Sequence, residues 1–135
     1  MRQAYVDANV IVRLITGDPP VMADQAAALF RSAEDGDLEL IIDPIVVAET
    51  VWVLSSFHGF ATGDISQAML TLLTSNGVVG DPPPETLQAL ALYEKKNVDF
   101  VDALLAVRMM ARGVNEVHSF DTHFDRLHGV MRRGP

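Results

Sequence analysis

The sequence contains no cysteine, which excludes a disulfide framework, thiolate metal ligands and a cysteine nucleophile. It is short of cations as well: Lys and Arg number 10 against 18 Asp and Glu, a net charge of −8. That balance argues against a broad basic face wrapping a phosphate backbone, so contact with nucleic acid would need cations to mediate it. No apolar run is longer than Ala103–Val107, far below the roughly 20 residues that span a bilayer. Asp7 breaks the only N-terminal stretch that could mimic a signal peptide. A soluble, cytoplasmic protein is the expectation. There is no internal repeat and no low-complexity segment to suggest an array or a linker. What remains is 135 residues with 49% hydrophobic content, enough to bury one core, and a single domain over 1–135 is expected.

Strand-like and helix-like segments alternate along the chain. Ala4–Val6 reads as a strand and Val10–Ile15 as a short helix, closed by the breaker Thr16-Gly17-Asp18-Pro19-Pro20. A helix over Val21–Ala33 and a strand over Leu38–Ile42 complete a first β-α-β unit. Asp43-Pro44 supplies a cap followed by proline at the first helical position, so Ile45–Phe57 is predicted helical despite its β-branched residues. Asp64-Ile65-Ser66 looks like the cap of a helix over Gln67–Leu73, ended by Asn76-Gly77. Val78-Val79 reads as a strand, Gly80 to Pro84 as a rigid turn, and Glu85–Lys96 and Phe100–Arg112 as helices. A strand over Glu116–Phe120 precedes an irregular piece with a frayed tail over 129–135. This alternation implies an α/β fold: a mostly parallel central sheet with helices on both faces.

Function in such sheets sits at the carboxyl ends of the strands, and Asp7 and Asp121 each follow a predicted strand directly. Helix capping is the plain alternative for either acid. Glu49 lies in Ile45–Leu54, which is apolar nearly all round. If that helix is buried, the carboxylate needs a cation or hydrogen-bond donors to meet it, and no Lys or Arg lies in the segment. The alternative is a narrow solvent-facing stripe. Asp99 and Asp102 open the helix Phe100–Ala106, where capping and the helix dipole explain both without chemistry. Taken as a set, the acids point further. Bringing them together without cations would cost on the order of 4 kcal/mol per close pair at an effective dielectric of 20, and a divalent ion removes that cost. Oxygen-only ligation favours Mg²⁺ or Mn²⁺ over zinc. His118, His123 and His128 fall five apart, away from the spacing of a helical zinc pair, and read as surface or packing residues. Ser55, Ser56 and Ser119 have no partnered base visible in sequence. Trp52, Met109 and Met110 are expected in the core.

The segments that carry these acids are Val6-Asp7-Ala8-Asn9-Val10 with Arg13–Asp18, Val47-Ala48-Glu49-Thr50-Val51-Trp52-Val53-Leu54, Asp99–Ala106, and Ser119-Phe120-Asp121. In that order and spacing the chain resembles the PIN-domain family, and specifically its toxin ribonucleases of the VapC type, from Tyr5 to about Leu127. The resemblance implies a three-layer α/β/α sandwich and a pocket of acids that holds Mg²⁺ or Mn²⁺. Carried over by motif, the acids are Asp7, Glu49, Asp102 and Asp121, with Asp99 at a position that varies and Asn9 and Ser119 as polar supports. It implies metal-assisted hydrolysis of an RNA phosphodiester, with Asp7 and Asp102 as inner ligands. Glu49 would ligate or accept a proton from the attacking water, and Asp121 would complete a second metal position or bind through water. It also implies a homodimer and a cognate antitoxin that enters the acidic pocket. Arg13, Arg108, Arg112, Arg126 and Arg132-Arg133 are the candidate local cations for substrate, each with a solvated helix end as its plain reading.

Two other classes compete. A phosphatase of the haloacid dehalogenase kind also has an Asp after its first strand, but Asn9 stands where its second acid belongs, and Lys95 and Lys96, the only lysines, lie at a predicted helix end. The other is a non-catalytic binding module of the same fold, in which the acids hold only a cation or a partner's arginine.

Overall fold

The computed structural model describes residues 2–80 and 83–135, which form two compact units, Met1–Pro83 and Pro84–Pro135. The first unit holds β1 (Gln3–Tyr5), α1 (Ala8–Thr16), α2 (Pro20–Glu34), β2 (Glu39–Ile42), α3 (Pro44–Ser56), α4 (Thr62–Leu73) and β3 (Val78–Gly80). Its strands lie in the order β1-β2-β3, both pairs parallel, with Ala4 opposite Leu40 and Leu40 opposite Val78. In β2 alternate side chains face opposite ways, and Leu40 and Ile42 are fully buried on one face. Ile11 of α1, Val47 and Leu54 of α3, and Ile65 and Met69 of α4 complete a buried apolar core. Around it α1 packs on α2 and α3, α2 on β2, α3 on α4, and α4 on β3.

Local chemistry explains where these elements begin and end. The Asp7 carboxylate accepts the Ala8 N–H at 2.8 Å as α1 starts, and α1 ends on Gly17, whose amide returns to the Arg13 carbonyl at 2.9 Å. The Asp43 carboxylate takes the Ile45 N–H at 2.9 Å, and Pro44 follows in the first turn of α3, as the sequence predicts. Gly77 combines a left-handed backbone, φ +83°, with a close approach to the end of α2, and its carbonyl accepts the Leu40 N–H at 2.7 Å. A Cβ there would stand 2.3 Å from the Ala33 carbonyl oxygen.

The second unit contains α5 (Pro83–Lys96, its first residue at the boundary), α6 (Phe100–Ala111), β4 (Glu116–His118), a 3-10 turn (Thr122–Arg126) and β5 (Met131–Arg133). Strands β4 and β5 pair in parallel, Val117 opposite Arg132, and β5 packs on the 3-10 turn. Leu90, Ala103, Ala106, Val107, Phe124 and Leu127 are buried. Every described strand pair is thus parallel and most other residues are helical, which is the α/β class expected.

Four local expectations need correction. The tail over 129–135 does not fray but carries β5, because a parallel partner takes up the backbone hydrogen bonds of an otherwise polar Met-Arg-Arg segment. Strand β4 stops at His118, which leaves Ser119 to Asp121 as a loop. Asp64 is not a cap, because α4 already begins at Thr62 and places that acid in its first turn, where the helix dipole favours it. Trp52 is 59% exposed and Met110 is also exposed, whereas Met109 is buried. Of the rigid turn expected from Gly80 to Pro84, Asp81 and Pro82 lie outside the described residues, and Pro83 and Pro84 open α5.

Candidate metal centre

The second unit places three acids at the mouth of α6. Val98 and Phe100 are buried and fix the chain as it enters the helix, with the exposed Asp99 between them. Asp99 occupies the cap position and its carbonyl accepts the Ala103 N–H at 2.9 Å, but its side chain makes no capping bond. The capping role that explains Asp99 from sequence is therefore not what its carboxylate does. Asp102, half-buried, is the third residue of the helix. Asp121 arrives from the loop after β4: its own N–H is donated to the Ser119 hydroxyl oxygen at 2.9 Å, and its Oδ1 accepts the His123 N–H at 2.8 Å as the 3-10 turn begins. One carboxylate oxygen from each of Asp99, Asp102 and Asp121 lies within 4.8 Å of the others.

Ionising three carboxylates so close together is costly. Burial, a hydrogen bond to Asp121 and the charges of Asp121 and Asp99 push the Asp102 carboxyl up to about 6, against a weaker opposing pull from His123. Asp121 moves the other way, held below the usual range chiefly by the His123 backbone N–H. The pair is therefore poised with its proton on Asp102. The donor set consists of hard oxygens with no nitrogen or sulfur ligand, which fits Mg²⁺ or Mn²⁺.

In the first unit, Asp7 lies two residues beyond β1 and caps α1, with its side chain exposed. Asn9, also exposed, lines a cavity of about 350 Å³ between α1 and α2 with Arg13, Met22 and Gln25. Glu49 is exposed on α3, and the buried charge that the apolar segment suggested is absent. Ile45, Glu49 and Trp52 recur at i, i+4 and i+7 and form one outward stripe, so α3 is apolar on its solvent side as well as on its core side. Among the described residues of the first unit, no three metal-ligating side chains converge.

Sequence reasoning missed the partners of the acids. His123 Nδ1 stands 3.5 Å from Asp121 Oδ1, and the signal for it was its place two residues after that acid, not its spacing from other histidines. Several arginines considered as substrate contacts have other partners: Arg108 pairs with Glu85 at 3.2 Å, Arg133 with Glu116 at 3.0 Å and Arg132 with Asp125 at 3.1 Å. Arg126 donates to the Asn97 carbonyl, two residues before Asp99, and Arg13 to the Asp18 carbonyl at 3.4 Å. Arg112 is exposed and has no ion pair among the described residues.

No described helix is long and apolar enough to cross a membrane. The chain is similar to a VapC ribonuclease of Aquifex aeolicus (strain VF5), 24% identical over 122 residues that cover 90% of each protein. The sequence profile of the PIN domain matches residues 4–130, nearly the whole chain and all of the acids described above. With parallel α/β architecture and acids following β1 and β4 and opening α6, this chain belongs to the PIN-domain family.

Proposed function

We propose that this protein is a divalent-metal-dependent endoribonuclease, a single nuclease domain over 1–135 and the toxin of a type II toxin–antitoxin pair acting in the cytoplasm. The observation that carries the reading is the convergence of Asp99, Asp102 and Asp121 in a chain that matches the PIN domain and resembles a VapC ribonuclease. Asp102 and Asp121 with Asp99 would hold Mg²⁺ or Mn²⁺, which when bound activates water and stabilises charge that develops on the phosphoryl oxygens and the leaving group. The Ser119 hydroxyl and the His123 N–H hold Asp121 in one orientation, and Asp102 gives up its proton to complete the anionic set. Asp7 and Glu49 take their roles from the motif: Asp7 as a metal ligand, and Glu49, accessible to solvent, as a ligand or as acceptor of the proton from the attacking water. Asn9 is a polar support. A cognate antitoxin and a homodimer follow from the same resemblance.

Cleavage of a labelled RNA pool by the purified protein with Mg²⁺ or Mn²⁺ tests this. Strand scission should disappear with EDTA and in Asp7→Ala, and Glu49→Gln should abolish turnover while its melting curve stays that of the parent, because an exposed side chain contributes little to stability. Intact RNA under every metal condition would overturn the enzyme and leave a non-catalytic binding module of the same fold.

A further inference from the structure

Arg132 uses all three guanidinium nitrogens. Its Nε lies 3.1 Å from Asp125 Oδ1 and one terminal nitrogen 3.5 Å from Asp125 Oδ2, while the other terminal nitrogen donates to the Ser119 carbonyl at 3.2 Å. Ser119 is gripped a second time by the same strand, since its N–H is donated to the Arg133 carbonyl at 2.9 Å. With both its backbone groups fixed by β5, Ser119 presents its hydroxyl to the Asp121 N–H. The opposite end of the segment is fixed too, because Asp125 belongs to the 3-10 turn that Asp121 caps. We propose that Arg132 is a positioning residue for Asp121, holding the segment from Ser119 to Asp125 so that the Asp121 carboxylate meets Asp99 and Asp102 at the metal. The inference rests on the metal-dependent reading above and adds to it a residue outside the acid motif.

A partly exposed ion pair contributes little stability by itself, so the value of this contact is geometric. The Arg132 side chain is only 24% exposed, and a planar fork that also reaches a carbonyl is a pattern that lysine cannot reproduce. Groups that orient metal ligands typically change metal affinity by about 10- to 100-fold when removed. The sign of the effect separates positioning from plain electrostatics. Removing a cation near an anionic metal site should tighten Mn²⁺ binding through space, whereas loss of positioning should weaken it.

Titration of the full chain with Mn²⁺ alone, followed by calorimetry, makes the test. Arg132→Gln should bind Mn²⁺ about tenfold more weakly than the parent and Arg132→Lys by a smaller factor, both with cooperative melting. In RNA cleavage, kcat should fall with KM unchanged and should recover as Mn²⁺ is raised, whereas an arginine that contacts substrate would raise KM. Equal or tighter Mn²⁺ binding by Arg132→Gln in a parent that binds and cleaves overturns the positioning role alone. Should Arg132→Gln fail to fold, parent-like Mn²⁺ affinity in Arg132→Lys has the same force. A parent that binds no Mn²⁺ overturns the metal-dependent reading together with the inference.

Discussion

Asp102→Asn should lower metal-dependent RNA cleavage by on the order of 10³-fold or more and, in the same protein, raise the melting temperature of the metal-free form at neutral pH. The first effect follows from the loss of a carboxylate from the proposed metal set, and the second from a carboxyl held at about 6 by burial and by its acidic neighbours. The folded protein binds the Asp102 proton more tightly than the unfolded chain does, whose ordinary value is 3.8. The contribution of Asp102 to metal-free stability therefore falls as pH rises from about 3.8 through about 6, and asparagine, which has no proton to lose, escapes that fall. The gap in melting temperature between Asp102→Asn and the parent should close below pH 4 and open above pH 6. For the same reason, Mn²⁺ affinity of the parent should climb with pH and level off above about 6, because the ion must displace that proton. Thermal melts and Mn²⁺ titrations at four or five pH values check all of this. A variant that melts below the parent at pH 8 without metal would show Asp102 to be a structural acid.

The second large effect is on folding and lies far along the chain from the acid triad. Gly77→Ala should destabilise the protein by about 3 kcal/mol or more, a drop of roughly 10 °C in melting temperature. A methyl group at that position meets the Ala33 backbone at 2.3–2.5 Å, and neither partner can retreat: Ala33 lies in the last turns of α2, and Gly77 is tied to β2 through Leu40. Gly36 provides the comparison. It has a similar backbone, φ +87°, but open space around its missing side chain, so Gly36→Ala should show only the backbone penalty of about 1 kcal/mol. Equal losses in the two variants, measured by denaturant unfolding, would remove the steric explanation.

Elements set by their own residues were legible in the sequence. Asp43-Pro44 and Gly17 punctuate helices through interactions within a turn, and the α/β class follows from their alternation with short strands. The order of the acids along the chain was legible too, because Asp7, Asp99, Asp102 and Asp121 sit beside a strand end or a helix start and Glu49 stands out within an apolar helix. Orientation was not legible. The segment around Glu49 has apolar residues on every side, so periodicity could not tell its core face from its solvent face, and Glu49 and Trp52 both turned out exposed. Contacts distant in sequence were invisible for a different reason. Met131-Arg132-Arg133 has no strand signature, and its pairing with Glu116–His118 depends on a partner 15 residues upstream. The loop that delivers Asp121 depends on that pairing, and with it the Arg132 contact.

The arginines of the second unit bear on the thermodynamics of holding a polyanion. Association of a protein with a nucleic acid gains much of its free energy when basic side chains displace counterions condensed on the phosphates, and the gain grows with the number of such displacements. Arg108, Arg126, Arg132 and Arg133 face carboxylates or carbonyls of their own unit, partners that a phosphate would have to displace. On the proposed function, the entropy of released monovalent ions would then be a minor driving force for RNA capture, and the grip on the backbone would pass to a divalent ion at Asp99, Asp102 and Asp121.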